Sequence, residues 1–184
     1  MSFEAVRLAD AFHYLTKNEV YAIRFFALIQ PDNAVCVNIG AGTGTSALAF
    51  LEARPDLTYS FWTVDISMEH PHGGLVNEQN AFRTAKMSTP NQILHDSNTV
   101  DYRVYMNKDN PQIDYLFIDA DHSYEGCMAD FDNAYPFLKK GSVVGFHDYG
   151  SPNWPDVRIA VKDIMEKTGA RKLLHIDTIF GIML

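Results

Sequence analysis

The chain lacks the features that mark several protein classes. Its 184 residues include two cysteines, Cys36 in an apolar run and Cys127 in a predicted helix, with no framework of paired spacings. A disulfide scaffold is therefore excluded, and a reducing, cytoplasmic setting is the expectation. Basic charge is scarce: 15 Lys and Arg stand against 23 Asp and Glu, a formal net charge of −8. That balance argues against a nucleic-acid groove or an anionic membrane as the main partner and leaves room only for a local basic patch. No apolar run reaches the roughly 20 residues that cross a bilayer. The opening MSFEAVRLADAF carries acidic residues in its first turns, unlike a signal peptide. Internal repeats, low-complexity segments and flexible linkers are missing too. What is present is 47% hydrophobic content in a length that suits one globular domain over residues 1–184.

That domain is organised around Val35 to Leu51, VCVNIGAGTGTSALAFL. Val35, Cys36, Val37 and Ile39 read as a buried strand, Gly40, Gly42 and Gly44 as a turn, and the apolar stretch from Ala47 as a helix. Glycines let a ligand lie against bare backbone, and the free N–H groups of the helix start attract an anionic group. Thr43, Thr45 and Ser46 supply candidate caps. A dinucleotide fingerprint would require its third glycine where this chain has Thr45, which disfavours a dinucleotide oxidoreductase. An ordinary tight turn stays open beside a nucleotide-like cofactor.

Around this unit, Phe3 to Leu15 and Val20 to Ile29 read as helices, either a lid over the cofactor edge within residues 1–31 or two core helices covering the sheet. Leu57 to Val64 reads as a second strand ending at Asp65, about twenty residues past the glycines, where an acid commonly binds ribose hydroxyls; a solvated Asp is the alternative. His70 and His72 belong to a loop, HPHGG, with no third metal ligand nearby. Leu75 to Ala85 reads as a helix, and Ile93 and Leu94 as a short third strand before Asp96 and Ser97. Tyr115 to Ile118 and Ser142 to Phe146 are buried strands flanking a helix from Tyr124 to Leu138 that is interrupted near Pro136. Val157 to Lys167 reads as an amphipathic helix, followed by strands Lys172 to Ile176 and Ile179 to Leu184. Only Asp177 and Thr178 separate the last two, so they pair antiparallel.

Two successive strands end in polar clusters, Asp119, Asp121 and His122 after one, His147 and Asp148 after the other. In an open parallel sheet ligands collect at the carboxyl ends of strands, so both clusters belong on the rim that carries the glycine turn. Asp119, His147 and Asp148 could bind one divalent cation; two carboxylates favour Mg²⁺, while an imidazole tilts the choice toward Mn²⁺. His122, with an imidazole that titrates near pH ~6.5, is a candidate base, or else a helix-start residue bonded to Asp121 or solvent. Tyr149 and Trp154 border an acceptor pocket, mark a contact between copies in a homo-oligomer, or simply pack.

The glycine turn resembles the first motif of class I S-adenosylmethionine-dependent methyltransferases. With FIDADHSYEGCMADF and GSVVGFHDY the resemblance narrows to the metal-dependent O-methyltransferases, closest to the branch acting on sugar hydroxyls, and runs from Val35 to Leu184. It implies a Rossmann-like, doubly wound, mostly parallel seven-stranded sheet with an antiparallel terminal strand, over residues 34–184. It implies a cofactor site from Asn38, Gly40, Ala41, Gly42, Gly44, Thr45, Asp65, Ile66, Asp96, Ser97, Asp119 and Asp121. It further implies metal ligands Asp119, His147 and Asp148, with His122 as base and a small molecule or sugar as acceptor. Helix capping competes for Asp96 and Ser97, and His147 stands where better-known members carry a carboxylate. Two other readings remain: a metal-independent transferase acting on an amine or carboxyl group, and a non-catalytic module that binds S-adenosylmethionine or a nucleoside.

Overall fold

The computed structural model describes residues 3–106 and 109–184. Its order is α1 (Glu4–Phe12), α2 (Lys17–Leu28), β1 (Cys36–Ile39), α3 (Thr45–Ala53), β2 (Phe61–Asp65), α4 (Leu75–Ala85), β3 (Asn91–Leu94), α5 (Tyr102–Met106), β4 (Ile113–Ile118), α6 (Tyr124–Ala134), β5 (Leu138–Phe146), α7 (Pro155–Thr168), β6 (Arg171–Ile176) and β7 (Ile179–Met183). The strands form one sheet in the order β3-β2-β1-β4-β5-β7-β6. All pairs are parallel except those of β7, which runs antiparallel to both β5 and β6. This is the expected doubly wound sheet, with the strand order reversing between β1 and β4. The antiparallel strand is last in the chain, but β6 occupies the edge beyond it.

Why these residues form these elements follows from burial. β1 and β4 are buried at every position because helices cover both faces, so their sequences read as unbroken apolar runs rather than alternating ones. One face packs α1, α2, α3 and α4 through Phe26, Phe50, Phe61, Phe82, Tyr115 and Phe117. The other packs α5, α6 and α7 through residues that include Tyr102, Phe131, Val157, Val161 and Ile164. On the first face the Phe26 ring lies over Gly145 and Gly181, which are register partners in β5 and β7. A Cβ at Gly181 would stand 2.5 Å from that ring, so the bare backbone here sets how closely α2 approaches the sheet.

The N-terminal helices are core helices. Glu52 on α3 accepts the N–H of Glu4 (2.7 Å) at the start of α1, and Thr16 caps α2 with Glu19 in a reciprocal capping box. The connection between them reaches the rim, where the Tyr14 hydroxyl lies 3.3 Å from His72 Nδ1, as does Glu19 at the start of α2.

Several boundaries differ from expectation, three of them for reasons visible in local bonding or in a proline. Pro55–Ser60 is a 3-10 helix rather than the start of β2, because the Thr58 and Ser60 hydroxyls donate to the carbonyls of Pro55 and Leu57 and hold a turn. β5 begins at Leu138 and runs through Gly141, with an irregular register against β4 where the Ser142 hydroxyl donates to Ile113 O and accepts from Lys139 N. α6 stops at Ala134 and a 3-10 turn, Tyr135–Phe137, takes up Pro136. The five-residue α5, held by buried Tyr102 and Met106 one turn apart, has too short a pattern to be read in advance.

Candidate active site

The carboxyl ends of β1, β2, β4 and β5 carry the site. After β1 the chain turns sharply because Gly40 (φ 93°) lies against β4: a Cβ there would stand 2.1 Å from Asp119 O. Gly40 N–H donates to Val64 O, and the Asn38 amide donates to Gly40 O (2.7 Å) while its oxygen accepts from Ser46 (3.3 Å). Thr43 and Thr45 share a hydroxyl hydrogen bond of 2.8 Å, and Gly44 rather than a side chain caps α3. Gly74 N–H donates to Gly42 O (2.8 Å), so the loop after β2 closes over the turn.

Asp65 is built into this framework. Its two carboxylate oxygens accept from Ala41 N and Ser67 N, each at 2.8 Å, and each keeps a lone pair for a ligand hydroxyl. The next residue, Ile66, is 70% exposed, an apolar surface beside the acid. Asp96 accepts from Asn98 N (2.9 Å) and so shapes its own turn, while Asn133 on α6 donates to Ser97 O (2.8 Å). Asp121 is exposed and accepts from Ser123 N (2.9 Å), the residue that caps α6.

The two polar clusters meet. Backbone hydrogen bonds from Asp119 N to Ile39 O (2.9 Å) and from His147 N to Ile118 O (3.2 Å) fix the strand ends side by side. Asp148 adopts φ 58°, uncommon for a residue with a side chain. Its Oδ2 is 3.1 Å from both His122 Nε2 and His147 Nδ1. His122 Nε2 is also 3.5 Å from Asp119, is buried, and makes no hydrogen bond of proper geometry. Its ring stacks on Trp154, with centroids 4.7 Å apart.

The expected metal ligands and the candidate base converge here. Asp119, His122 and Asp148 are the three whose ligand atoms lie within 4.8 Å of one another. His147 borders the same two carboxylates: Nδ1 is 3.2 Å from Asp119 and 3.1 Å from Asp148, and Nε2 faces Glu19 at 3.7 Å. With carboxylates at both nitrogens His147 is held protonated, and it offers a lone pair to a cation by giving up the Nδ1 proton. Two hard carboxylates with an imidazole beside them fit a divalent cation.

Glu19 is the member sequence reading missed. Its capping-box position in TKNE was the available signal, but that signal points to a helix start, not to a rim. Besides Thr16 N (2.7 Å) it accepts from Thr178 N (2.8 Å) and the Thr178 hydroxyl (2.6 Å), and so ties α2 and the β6–β7 turn to His147. Although burial opposes it, His147 and these donors bring Glu19 down to about 2. Burial likewise opposes the charge on Asp119 and Asp148, and the facing imidazoles keep both carboxyls below the usual range. The Asp119 and Asp148 carboxylates push His122 up to about 9. Burial alone would lower His147, but the three surrounding carboxylates hold it well above the ordinary imidazole value.

A family model described as a methyltransferase domain matches residues 37–149, from β1 through the second cluster. The chain belongs to this methyltransferase family. It is a class I methyltransferase, the class whose methyl donor is S-adenosylmethionine. An uncharacterized protein, R132, of Acanthamoeba polyphaga mimivirus is 41% identical over 61 residues, covering 33% of this chain and 28% of that protein. The aligned stretch therefore spans well under a third of that relative. Among solved structures, apo CalS11, a TDP-rhamnose 3'-O-methyltransferase of calicheamicin biosynthesis, aligns with TM-score 0.67 and 19% identity over 90% of this chain and 76% of its own. A putative caffeoyl-CoA O-methyltransferase from Staphylococcus aureus aligns with TM-score 0.72 and 17% identity over 99% and 91%. The N-methyltransferase NodS from Bradyrhizobium japonicum has the same fold, with TM-score 0.61 and 12% identity over 90% and 93%. At these identities the likeness establishes the fold and leaves the acceptor atom to the site's own chemistry.

Proposed function

We propose that the methyltransferase domain methylates a hydroxyl oxygen of a small-molecule or sugar acceptor with the help of a divalent cation. The observation that carries this reading is His122 Nε2, held 3.1 Å from Asp148 and 3.5 Å from Asp119 with no hydrogen bond of its own. S-adenosylmethionine supplies the sulfonium methyl; the glycine turn, Asn38, Thr45, Asp65, Ile66, Asp96 and Ser97 are the groups in reach to hold it. Asp65 keeps lone pairs for ribose hydroxyls, and Ile66 offers an apolar seat for the base. A cation held by Asp119 and Asp148, with His147 the third ligand that the resemblance implies, would lower the pKa of the acceptor hydroxyl and leave the His122 Nε2 lone pair for its proton.

The chain's own residues do the rest. His122 Nε2 takes the hydroxyl proton, and Trp154 fixes the plane of the imidazole. Facing two free carboxylates His122 keeps its proton up to about pH 9, so it becomes a base at neutral pH only when Asp119 and Asp148 are otherwise engaged. Glu19 and His147 hold those two carboxylates in register.

The test is release of S-adenosylhomocysteine with a panel of sugars and phenols, with Mg²⁺ or Mn²⁺ and after chelation. Cation-dependent turnover that is lost in Asp119→Ala and falls about 10²- to 10⁴-fold in His122→Ala is expected. Turnover indifferent to chelation and to both substitutions overturns the mechanism. The ion pairs themselves favour a second reading: two imidazolium groups already balance most of the carboxylate charge, as a metal-independent transferase acting on an amine or carboxyl group requires. Chelator-resistant turnover on such an acceptor, still sensitive to His122→Ala, supports that alternative.

A further inference from the structure

Beyond Tyr149, where the matched family segment ends, a cavity of about 580 Å³ opens between α7 and the β6–β7 edge. Its lining includes Tyr149, Arg158, Lys172, His175, Asp177 and Phe180. Tyr149 and Phe180 form an aromatic floor, stacked with centroids 4.1 Å apart, and the His175 ring meets the edge of both at 5.1 and 5.5 Å. The Arg158 guanidinium lies 6.0 Å from the Tyr149 ring and the Lys172 ammonium 5.7 Å from the Phe180 ring.

Among the described residues neither cation has a carboxylate partner; Lys17, Arg83, Lys86, Lys140, Lys162 and Arg171 have none either, but these do not line the cavity. The one carboxylate among the lining residues, Asp177, is engaged by the Thr16 hydroxyl at 2.7 Å. In a chain with net charge −8, two cations left without acids around one cavity favour an anionic occupant. Contact with a ring leaves the guanidinium N–H donors free for a planar two-point grip on a phosphate. The volume is that of a small-molecule site rather than of a bare ion. Tyr149, the first wall residue, directly follows Asp148, and its N–H donates to Thr178 O (3.0 Å), next to the donors that hold Glu19.

We propose that this cavity binds the phosphoester portion of the methyl acceptor, with Arg158 and Lys172 gripping the phosphate and the Tyr149–Phe180 floor carrying the attached sugar. That the ligand is the acceptor rests on the methyl-transfer reading; that it is a phosphoester does not.

The test is calorimetric titration of chelator-treated protein with glucose 1-phosphate, inorganic phosphate and S-adenosylmethionine separately. Glucose 1-phosphate is expected to bind more tightly than inorganic phosphate, and at least tenfold more weakly to the Arg158→Ala/Lys172→Ala double variant, whose S-adenosylmethionine affinity stays unchanged. No binding of glucose 1-phosphate, or equal binding by the double variant, overturns the site. Inorganic phosphate binding as tightly as the sugar phosphate overturns the acceptor assignment in favour of a free-anion site. Failure of S-adenosylmethionine alone to bind sinks the methyl-transfer reading and leaves the phosphoester site standing.

Discussion

At the scale of single residues the site is a chain of ion pairs, Glu19 to His147 to Asp119 and Asp148 to His122. Each imidazole owes its proton to carboxylates placed by different elements, and that dependence is measurable without an acceptor. Asp148→Asn removes a carboxylate 3.1 Å from His122 Nε2, so the His122 midpoint, about 9 in the intact protein, should fall by at least one unit in an NMR titration of the imidazole protons. Glu19→Gln removes charge from the far side of His147 and should lower the His147 midpoint while leaving S-adenosylmethionine affinity intact. Unmoved midpoints in both variants would mean that the carboxylates do not control the imidazoles.

At the scale of elements, α2 serves the site by its position, and its position depends on Gly145 and Gly181 beneath Phe26. A methyl group at 181 meets the ring at 2.5 Å, well inside contact distance. Gly181→Ala should cost about 1–3 kcal/mol in urea unfolding, and Phe26→Leu in the same chain should restore part of it; an unchanged midpoint would show that α2 can shift freely. Sequence periodicity located α2, yet nothing in its pattern says that Glu19 at its start faces the rim. That placement arises because β7 inserts between β5 and β6, bringing the Thr178 turn and the helix start to the same side chain. The early start predicted for β2 failed for a related reason: Leu57 and Thr58 have strand propensity, but local hydroxyl bonds win the backbone there.

For the whole molecule, the buried acids set how stability varies with pH. Burial pushes Glu78, bonded by Thr63 and Gln92, up to about 7, and Asp130 up to about 6. Both folded values exceed the unfolded ones, so the stability these groups allow is complete below about pH 4 and lost as pH rises through 6 and 7. His122 adds a loss as pH rises from about 6.5 through 9. Glu19, Asp119 and Asp148 act oppositely, their lowered values costing stability as pH falls below about 4. Without added cation, thermal stability should peak near pH ~5 and decline toward pH ~9. Glu78→Gln should flatten the fall between pH ~5 and ~8; an equal slope in that variant would remove Glu78 as its cause.

The sequence by itself determined the sheet class, the glycine turn and the acid at Asp65, because these depend on local apolar runs, backbone freedom and a spacing of about twenty residues. It also put both polar clusters at strand ends, since β4 and β5 are apolar until they stop. Only the tertiary structure decided that both histidines face the same two carboxylates and that Glu19 backs His147 alone, because His122 and His147 differ in what α2 and the β6–β7 turn bring against them. The phosphoester cavity belongs to the same class: Arg158 and Lys172 lie on a helix and a strand that only the folded edge of the sheet sets around Tyr149 and Phe180.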